Sequence, residues 1–276
     1  MQVMKRFYAI LTTIALCIYS LSANAEEPQE HIPEIHSKHF FYGYPTGTPM
    51  TNDLIIRDIY ALSNNDTTKF ADWVAYRLDK ETIEGDVKTK RVWKSDPWLE
   101  DNETLEPEDY KGANALLHTD RGHLAPLGSF KGTKHWQDTN YLSNITPQKS
   151  NLNRGVWLNV ENFTRLLVKS VKQPVYVMTG PIYDKDTETL PNADEEHVIP
   201  SAYWKIIATQ LDPKNLNSIA VYSFIFSQNA PKKIDFRDTI FSIDQIEKRT
   251  GLNFFRLLPD EVEDIIEEKM SIGSPF

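Results

Sequence analysis

The residues with the clearest chemical potential lie between Asp120 and Glu161. This segment opens with the tetrapeptide Asp-Arg-Gly-His. His123 has an ordinary pKa of ~6.5, so a neutral imidazole is available as a base at physiological pH. Beside it, Arg121 offers a planar fork that matches phosphate, and Gly122 lets a backbone approach closely. The alternative is a buried histidine with satisfied hydrogen bonds, but these two neighbours favour a base that works beside an anion.

Asparagine side chains recur further along the segment, and each has more than one interpretation. Asn153 lies where a helix should begin, and asparagine is a favoured N-cap residue. Its amide oxygen also suits a hard divalent cation such as Mg²⁺, which prefers oxygen ligands and keeps most of its waters. Both roles could hold together. Asn144 follows a short apolar stretch and could cap a turn, bond a phosphate, or steady the loop that carries His123.

Glu161 follows Asn153 at a spacing that limits how the two could share an ion. On a helix, Glu161 would be rotated by about 80° and would lie about 12 Å further along the axis. Side chains lean toward the helix N-terminus, which shortens this gap, yet direct binding of one ion by both would be strained. We therefore expect Glu161 to hold a metal-bound water. The other interpretation is a solvated helical glutamate.

A helix over residues 153–172 would place Asn153 and Glu161 on one broad face. Apolar residues recur along it at spacings of four and three, which is typical of a helix face that packs on a core. These residues are Val156, Val160, Phe163, Leu167 and Val171. Pro174 ends the helix.

The rest of the chain indicates strands and short helices without regular alternation. β-Branched and aromatic residues predict strands over 54–62, 73–78, 140–145, 175–179, 202–211 and 219–227. Ser242 with Gln245 forms a capping-box pattern, and Gly251 suits the C-terminal end of that helix. Residues 80–112 are charged and turn-rich, so we expect a long surface excursion there. Together these features predict an α+β fold.

Composition limits the class of protein. The chain has 276 residues, of which 40% are hydrophobic and 25% charged, and this ordinary composition excludes collagen-like, low-complexity and wholly disordered chains. Lys and Arg number 30 against 39 for Asp and Glu, which gives a net charge of −9 with His neutral. The chain is therefore no basic coat protein for nucleic acid, and any surface that binds a polyanion must be local.

The N-terminus has the three parts of a secretory signal peptide. Two basic residues precede an apolar run over 7–22, and Ala-Asn-Ala follows as a cleavage site. An uncleaved membrane anchor is the alternative, but the run is short for a span of ~20 residues. We expect a signal peptide over 1–25 with cleavage after Ala25. This leaves 26–276 as a single domain with a loose N-terminal arm over 26–38.

Export would also limit the chemistry. The single cysteine, Cys17, lies in the signal peptide, so the mature chain would have neither a cysteine nucleophile nor a thiolate metal site. Four Asn-x-Ser/Thr sequons, one of them at Asn144, favour a bacterial source, where they would stay unmodified. We expect a secreted or periplasmic bacterial protein that has no stable membrane association after cleavage.

Three motifs of this chain together resemble those of a known family. They are Asp-Arg-Gly-His at 120–123, Asn-x-x-x-Asn-x-x-Pro-Gln at 140–148 and Asn-x-Gly-x-Trp-x-x-x-Glu at 153–161. The chain resembles the DNA/RNA non-specific endonucleases, and more closely the secreted Serratia-type nucleases. The likeness also includes residues 67–70, 73–76 and 91–97, and it covers the chain from about Tyr44 to past Tyr183.

The resemblance implies a ββα-metal (His-Me finger) nuclease fold with a central antiparallel sheet flanked by helices. In that family the histidine matching His123 is the general base, and the asparagine matching Asn153 is the only protein ligand of one Mg²⁺ ion, for which Mn²⁺ can substitute. The glutamate matching Glu161 orients the waters of that ion. The remaining implied site residues are Arg121 and Arg91, which contact phosphate, and Asn144, Asn140, Gln148 and Arg165, which line the site.

The resemblance further implies a secreted, Mg²⁺-dependent endonuclease that hydrolyses DNA and RNA to 5′-phosphorylated products. A homodimer is compatible with this function, although the sequence does not indicate one. The alternatives are a catalytically inactive nucleic-acid-binding protein of the same fold and a phosphoesterase for small nucleotides. Because the whole chain is acidic, we expect a local basic cluster at the cleft; its candidates are Lys88, Lys90, Arg91, Lys94, Arg121, Lys131, Lys134, Lys149 and Arg154.

Overall fold

A computed structural model describes residues 32–87, 90–185 and 188–270 of the chain. The predicted signal peptide and residues 26–31 of the predicted arm lie outside these ranges. From Ile35 onward the chain forms one unit. Within the described ranges, none of the helices reaches the length and apolar character that a membrane span requires.

A six-stranded antiparallel sheet forms the centre of this unit. The strands along the chain are β1 (Asp53–Ile56), β2 (Ala61–Asn64), β3 (Ala71–Leu78), β4 (Thr119–His123), β5 (Ile145–Lys149), β6 (Val175–Ile182), β7 (Ala202–Gln210) and β8 (Ile219–Ser227). The order in the large sheet is β1-β2-β3-β6-β7-β8, and β4 pairs with β5 in a separate two-stranded sheet. The strands predicted over 73–78, 175–179, 202–211 and 219–227 are confirmed within a few residues at their ends.

Helices lie between and after these strands. They are α1 (Lys80–Ile83), α2 (Ala113–Leu117), α3 (Ser150–Leu152), α4 (Leu158–Ser170), α5 (Ile243–Thr250) and α6 (Asp260–Glu268), and a π-helical turn, Asn153–Trp157, joins α3 to α4. The capping box of α5 is confirmed, because the Ser242 hydroxyl accepts from the backbone of Gln245 and the Gln245 side chain accepts from the backbone of Ser242. Gly251 ends α5 in the left-handed region, at φ +73°.

Two cores cover the opposite faces of the central sheet. Successive strand residues point to opposite faces, so Val74 and Tyr76 of β3 belong to the core beneath α4, whereas Trp73 and Ala75 belong to the core beneath α5 and α6. Because both faces are covered, the central strands are almost continuously buried rather than alternately exposed. Helix α4 thus packs on one face of the sheet.

Two predicted strands differ from the structure. The prediction over 140–145 is wrong, because 3₁₀ turns occupy Trp136–Asn140 and Leu142–Asn144 and β5 begins only after them. The physical reason is that asparagine side chains bond backbone carbonyls of these turns, which competes with strand pairing. The strand predicted over 54–62 is two strands, since the chain reverses between β1 and β2.

The expected surface excursion over 80–112 is partly wrong. The segment contains little regular structure, but Asp96 and Leu105 are each only 1% exposed. Asp96 forms a buried ion pair with Arg57 and accepts a hydrogen bond from Ser143 at 2.5 Å. The segment therefore packs against the turns that precede β5 instead of extending freely into solvent.

Candidate active site

The β4–β5 hairpin presents His123 at the end of a strand. β4 pairs with β5 so that His123 lies opposite Ile145 and Gly122 lies opposite Thr146. Glycine is needed at position 122, because a Cβ atom there would collide with the side chain of Gln148. The β4–β5 pair can therefore hold a bulky amide across its own backbone and still present an imidazole at the end of β4.

Asn144 fixes the loop that follows His123. Its side chain is fully buried; Oδ1 accepts from the backbone N–H of Ala125 at 2.8 Å, and Nδ2 donates to the carbonyls of Ala125 and Thr139, each at 2.9 Å. Both amide hydrogens are thus used on the protein backbone. Of the roles considered for Asn144, this geometry favours steadying the loop over a phosphate contact.

Asn140 and Gln148 are likewise buried behind the hairpin. Asn140 is 1% exposed and donates through Nδ2 to the carbonyl of Gln137 at 3.1 Å. Gln148 is fully buried, and neither atom of its amide has a hydrogen-bond partner among the described residues. The structure places both side chains beneath the site rather than on its solvent-facing wall.

The π-helical turn carries Asn153. Because the helix begins with α3, three residues earlier, Asn153 has helical backbone angles and caps nothing, so the N-cap interpretation is wrong. The turn widens at Gly155 (φ −113°, ψ −116°), where a Cβ atom would lie 2.6 Å from the carbonyl oxygen of Lys232. Single π-turns of this kind are frequent at functional sites.

Asp120 sets the orientation of the Asn153 amide. Nδ2 of Asn153 donates to Oδ2 of Asp120 at 3.1 Å, and Arg154 binds the same carboxylate through Nε at 2.8 Å and Nη2 at 2.5 Å. Although burial would raise the pKa of Asp120, these hydrogen bonds lower it below its usual value. The amide nitrogen of Asn153 is therefore held by an anion, while no described residue hydrogen-bonds its Oδ1.

The hairpin and the helix enclose one cleft of about 580 Å³. His123, Asn153 and Glu161 all line it. Its charged side chains are five basic residues and two acidic ones: Arg91, Arg121, Lys131, Arg154, Arg165, Asp86 and Glu161. The cleft is thus positively charged although the whole chain is acidic.

His123 is held as a neutral imidazole. Burial and the positive charge of Arg91 lower its pKa to about 3, and the Asn140 side chain opposes this in part. Its Nε2 is buried and has no hydrogen-bond partner within the described ranges, and its ring lies 5.4 Å from that of Trp93. A neutral imidazole that lines a cleft suits a general base.

Two arginines near His123 contact the ring of Trp93. The guanidinium carbons of Arg91 and Arg121 lie 5.2 Å and 5.5 Å from the centroid of the Trp93 ring. Nη2 of Arg121 donates to the carbonyl of Pro107 at 2.6 Å, while its buried Nε has no partner among the described residues. The structure therefore places the His123 imidazole and the two guanidinium groups around the Trp93 ring.

Glu161 lines the cleft from α4. Its side chain is 13% exposed and lies 3.8 Å from Nη1 of Arg165, one turn later. Burial raises the pKa of Glu161, and the charges of Lys205 and Arg165 lower it. The interpretation as a solvated helical glutamate is wrong, because the carboxylate is enclosed between charged neighbours.

The structure therefore divides the predicted site residues into two groups. His123, Arg91, Arg121, Asn153, Glu161 and Arg165 line the cleft, whereas Asn140, Asn144 and Gln148 lie behind it. Asp120, Trp93 and Trp157 were missed, although all three lie inside the quoted motifs or the upstream likeness. Trp157 is fully buried and donates through Nε1 to the carbonyl of His123 at 3.2 Å.

The predicted basic cluster is smaller than expected. Arg91, Arg121, Lys131 and Arg154 line the cleft. Lys149 does not, because Nζ donates to the carbonyl of Leu117 at 2.7 Å and the side chain lines a separate cavity. Lys90, Lys94 and Lys134 are not among the lining residues, and Lys88 lies outside the described residues.

The donor set of the cleft fits a hard cation that keeps most of its waters. Asn153 offers a neutral oxygen, and Glu161 is the nearby carboxylate that could bind coordinated water. Groups of three or more carboxylate or imidazole ligands occur elsewhere in the described ranges but not in this cleft. A fully protein-ligated ion would not suit this site, whereas one amide oxygen with water does.

Comparison with known proteins agrees with this geometry. The family model for DNA/RNA non-specific endonucleases matches residues 37–261. A nuclease of Serratia marcescens is 48% identical over 231 residues, which cover 83% of this chain and 85% of that protein. Human mitochondrial endonuclease G is 30% identical over 220 residues, covering 75% of this chain and 71% of that protein.

A solved structure supports the fold. A chain in the crystal structure of the EndoG/EndoGI complex superimposes with a TM-score of 0.67 at 23% identity, covering 79% of this chain and 90% of that chain. The predicted α+β, ββα-metal nuclease fold with its central antiparallel sheet is confirmed.

Proposed function

Because the chain belongs to the DNA/RNA non-specific endonuclease family and is thus a metal-dependent endonuclease, we propose that it cleaves both DNA and RNA. In this proposal His123 is the general base and Asn153 binds one Mg²⁺ ion. Mn²⁺ would substitute for Mg²⁺ at an oxygen ligand. The observation that carries the proposal is the shared cleft. A neutral imidazole and an amide whose Oδ1 accepts no hydrogen bond from a described residue line the same basic cavity.

His123 supplies the base. Its imidazole takes a proton from a water molecule, which attacks phosphorus opposite the leaving 3′ oxygen. The lowered pKa of His123 keeps the ring neutral before each turnover. The 5′ side of the broken bond keeps the phosphate, so the products carry 5′-phosphate and 3′-hydroxyl ends.

The cationic side chains stabilise the negative charge of the phosphodiester. Arg121 and Arg91 bind the non-bridging oxygens from beside the Trp93 ring, and bidentate guanidinium contacts match phosphate geometry. When bound, Mg²⁺ supplies positive charge at the leaving oxygen and the phosphate. Asn153 would hold that ion through Oδ1, and Glu161 would orient water beside it. A neutral amide ligand leaves the ion most of its charge.

The shape of the site supports a polymeric substrate rather than a small nucleotide. Beside the cleft lies a second hollow of about 390 Å³, and the two share Arg91, Arg121, Asn153 and Arg154. A chain of phosphates could thus continue past the reacting bond. Contacts to phosphate carry little sequence information, which supports cleavage of both DNA and RNA at many sequences.

We also propose that the protein is exported from a bacterial cell. The proposal rests on the N-terminal pattern of basic, apolar and small residues, with cleavage after Ala25. N-terminal sequencing of protein recovered outside the cytoplasm should begin at Glu26. Recovery of the intact N-terminus in the membrane fraction would contradict export with cleavage.

The function is tested by digestion of plasmid DNA and of RNA in Mg²⁺, with and without EDTA. We expect cleavage of both substrates, complete loss of activity in EDTA, recovery on adding Mg²⁺, and 5′-phosphate on the products. Cleavage that continues in EDTA, or hydrolysis limited to dinucleotides, would contradict the proposal.

Substitution of Asn153 tests the metal assignment. Asn153→Ala should need a much higher Mg²⁺ concentration for half-maximal rate, because the ion loses its protein ligand. Asn151→Ala is the matched control, since this exposed amide of α3 does not line the cleft. An unchanged Mg²⁺ requirement in Asn153→Ala would contradict the assignment.

A further inference from the structure

A lysine is buried in the central sheet beneath the active site. Lys205 of β7 is 1% exposed, and its Nζ has no hydrogen-bond partner among the described residues. Its same-face neighbours on the strand, Tyr203 and Ile207, belong to the core that α4 covers. Burying an ammonium group is costly unless an opposite charge faces it, so a lysine at this position needs an electrostatic explanation.

The opposite charge is Glu161 on α4. Burial lowers the pKa of Lys205 and the charge of Glu161 raises it, whereas burial raises the pKa of Glu161 and the charges of Lys205 and Arg165 lower it. The Glu161 carboxylate thus has one cation on its own helix and one in the sheet below. Tyr76, also near this carboxylate, stays neutral because burial raises its pKa.

Trp157 connects the lysine to both sides of the cleft. Nζ of Lys205 lies 4.2 Å from the centroid of the Trp157 ring, a distance at which a desolvated cation is attracted to the ring face. The Trp157 side chain donates through Nε1, its only donor, to the carbonyl of His123, and its proximity to Glu161 lowers the pKa of that carboxylate. A charge beneath Trp157 therefore lies against the residue that neighbours both His123 and Glu161.

We propose that Lys205 is a positioning residue, whose buried charge fixes the Glu161 carboxylate at the floor of the cleft from beneath α4. The inference rests on the proposed role of Glu161 in orienting water around the metal ion. Lys205 does not reach the cleft surface and does not touch substrate. It acts through Glu161, so its loss should affect the chemical step and the metal requirement more than substrate binding.

A double-mutant cycle on Lys205 and Glu161 tests this inference. Lys205→Met keeps the length of the side chain and removes its charge. We expect kcat to fall about tenfold or more, with a higher Mg²⁺ requirement and a KM for DNA within about twofold of wild type. Lys205→Arg should recover part of kcat because it restores the charge. Thr209→Val is the control, because Thr209 is a fully buried polar residue of the same strand that bonds Pro174 instead.

The decisive comparison is between Glu161→Gln and the double variant Lys205→Met/Glu161→Gln. If Lys205 acts through Glu161, the two proteins should have equal kcat, because the lysine has nothing left to position. The double variant removes both charges together and should fold even if Lys205→Met alone does not, since no unpaired buried charge remains. Circular dichroism and thermal unfolding check the fold of each.

The results separate this inference from the proposed function. Wild-type kcat in Lys205→Met, or a further tenfold loss in the double variant relative to Glu161→Gln, would overturn the role of Lys205 and leave the proposed function standing. Full activity in Glu161→Gln would instead overturn the role given to Glu161, and with it the inference. Activity unaffected by EDTA would overturn the metal-dependent mechanism as a whole.

Discussion

At the scale of single side chains, the proposed mechanism gives two groups of the cleft different tasks. His123 would accept a proton, and burial together with Arg91 lowers its pKa to about 3. Glu161 would hold water, and burial raises its pKa against the charges of Lys205 and Arg165. Because the two shifts run in opposite directions, Glu161 takes up its proton at a higher pH than His123.

The order of these protonations predicts the acid limb of the activity profile. As pH falls from neutrality, wild-type kcat/KM should drop first through protonation of Glu161, while His123 is still neutral. In Glu161→Gln the residual activity should stay nearly constant down to about pH 4, because only His123 then titrates. Measured pH profiles of both proteins check this. An acid limb with the same midpoint in the variant would contradict the account.

Sequence reasoning found the side chains whose type alone states a chemistry. The sequence pointed to His123, Arg121 and Asn153 because an imidazole, a guanidinium and an amide in one segment could serve a phosphate and a metal ion. The family resemblance added Arg91. Trp93 and Lys205 could not be found in this way, because an aromatic or a lysine in an apolar stretch gains its role only from what packs against it. Asp120 lies inside the quoted motif, yet its contact with Asn153 depends on how the hairpin meets the helix.

At the scale of elements, the π-helical turn joins the helix to the chain at Lys232. A Cβ atom at Gly155 would lie 2.6 Å from the carbonyl oxygen of Lys232, so Gly155→Ala must shift the turn that carries Asn153. We expect kcat to fall about tenfold or more, since a misplacement of about 1 Å at a site can cost ~100-fold. Steady-state kinetics at saturating Mg²⁺ measure this.

Gly251→Ala is the control for Gly155→Ala. Among the described residues, no atom beyond its chain neighbours lies within 4 Å of the Cβ position at Gly251, but its φ of +73° disfavours alanine. This variant should lose about 1 kcal/mol of stability and keep wild-type kcat at temperatures where it is folded. Equal kcat in Gly155→Ala and wild type would show that the turn does not position the metal ligand.

The α5–α6 pair places like charges together and should destabilise the fold at high pH. Burial and the charges of Glu247, Glu263, Asp244 and Asp264 raise the pKa of Glu267 to about 8. A carboxyl whose pKa is higher in the folded state binds a proton on folding, so stability should fall as pH rises from about 4.5 to about 8. Glu267→Gln should therefore have a higher Tm than wild type at pH 8 and a similar Tm at pH 5. Thermal unfolding at both values measures this, and an equal Tm at pH 8 would contradict it.

The elements that the sequence predicted well are those with strong periodicity. The long central strands and α4 have apolar patterns that packing on two cores reinforces, and the capping box of α5 is a local signal. The 3₁₀ turns before β5 were predicted as a strand, because residues 140–145 are apolar enough for one and only their asparagine contacts decide otherwise. The π-turn needs a tertiary contact at Gly155, so no local pattern predicts it.

At the scale of the whole molecule, a basic cleft lies in an acidic chain. The net charge is −9, yet five basic and two acidic side chains line the cleft. At physiological salt the Debye length is ~8 Å, so the local charges act on a bound phosphate more strongly than the distant acidic surface does. Polyanion binding should then depend steeply on salt.

The salt dependence of binding tests this arrangement. Duplex DNA bound to His123→Ala in Mg²⁺ should show a steep negative slope of log K against log salt, and adding Arg91→Ala should make that slope shallower by about 1. Adding Arg237→Ala should leave the slope unchanged, because Arg237 pairs with Asp235 outside the cleft. Fluorescence anisotropy measures both, and equal slopes with and without Arg91 would contradict a phosphate contact.

The proposed mechanism depends most on the proton-accepting role of His123. The direct measurement is the single-turnover rate of DNA cleavage by His123→Ala at saturating Mg²⁺, with His135→Ala as the control, because His135 pairs with Asp58 outside the cleft. We predict a loss of about 10²–10⁴-fold in His123→Ala, with an unchanged circular dichroism spectrum and wild-type cleavage in the control. A folded His123→Ala protein that cleaves at the wild-type rate would contradict the mechanism.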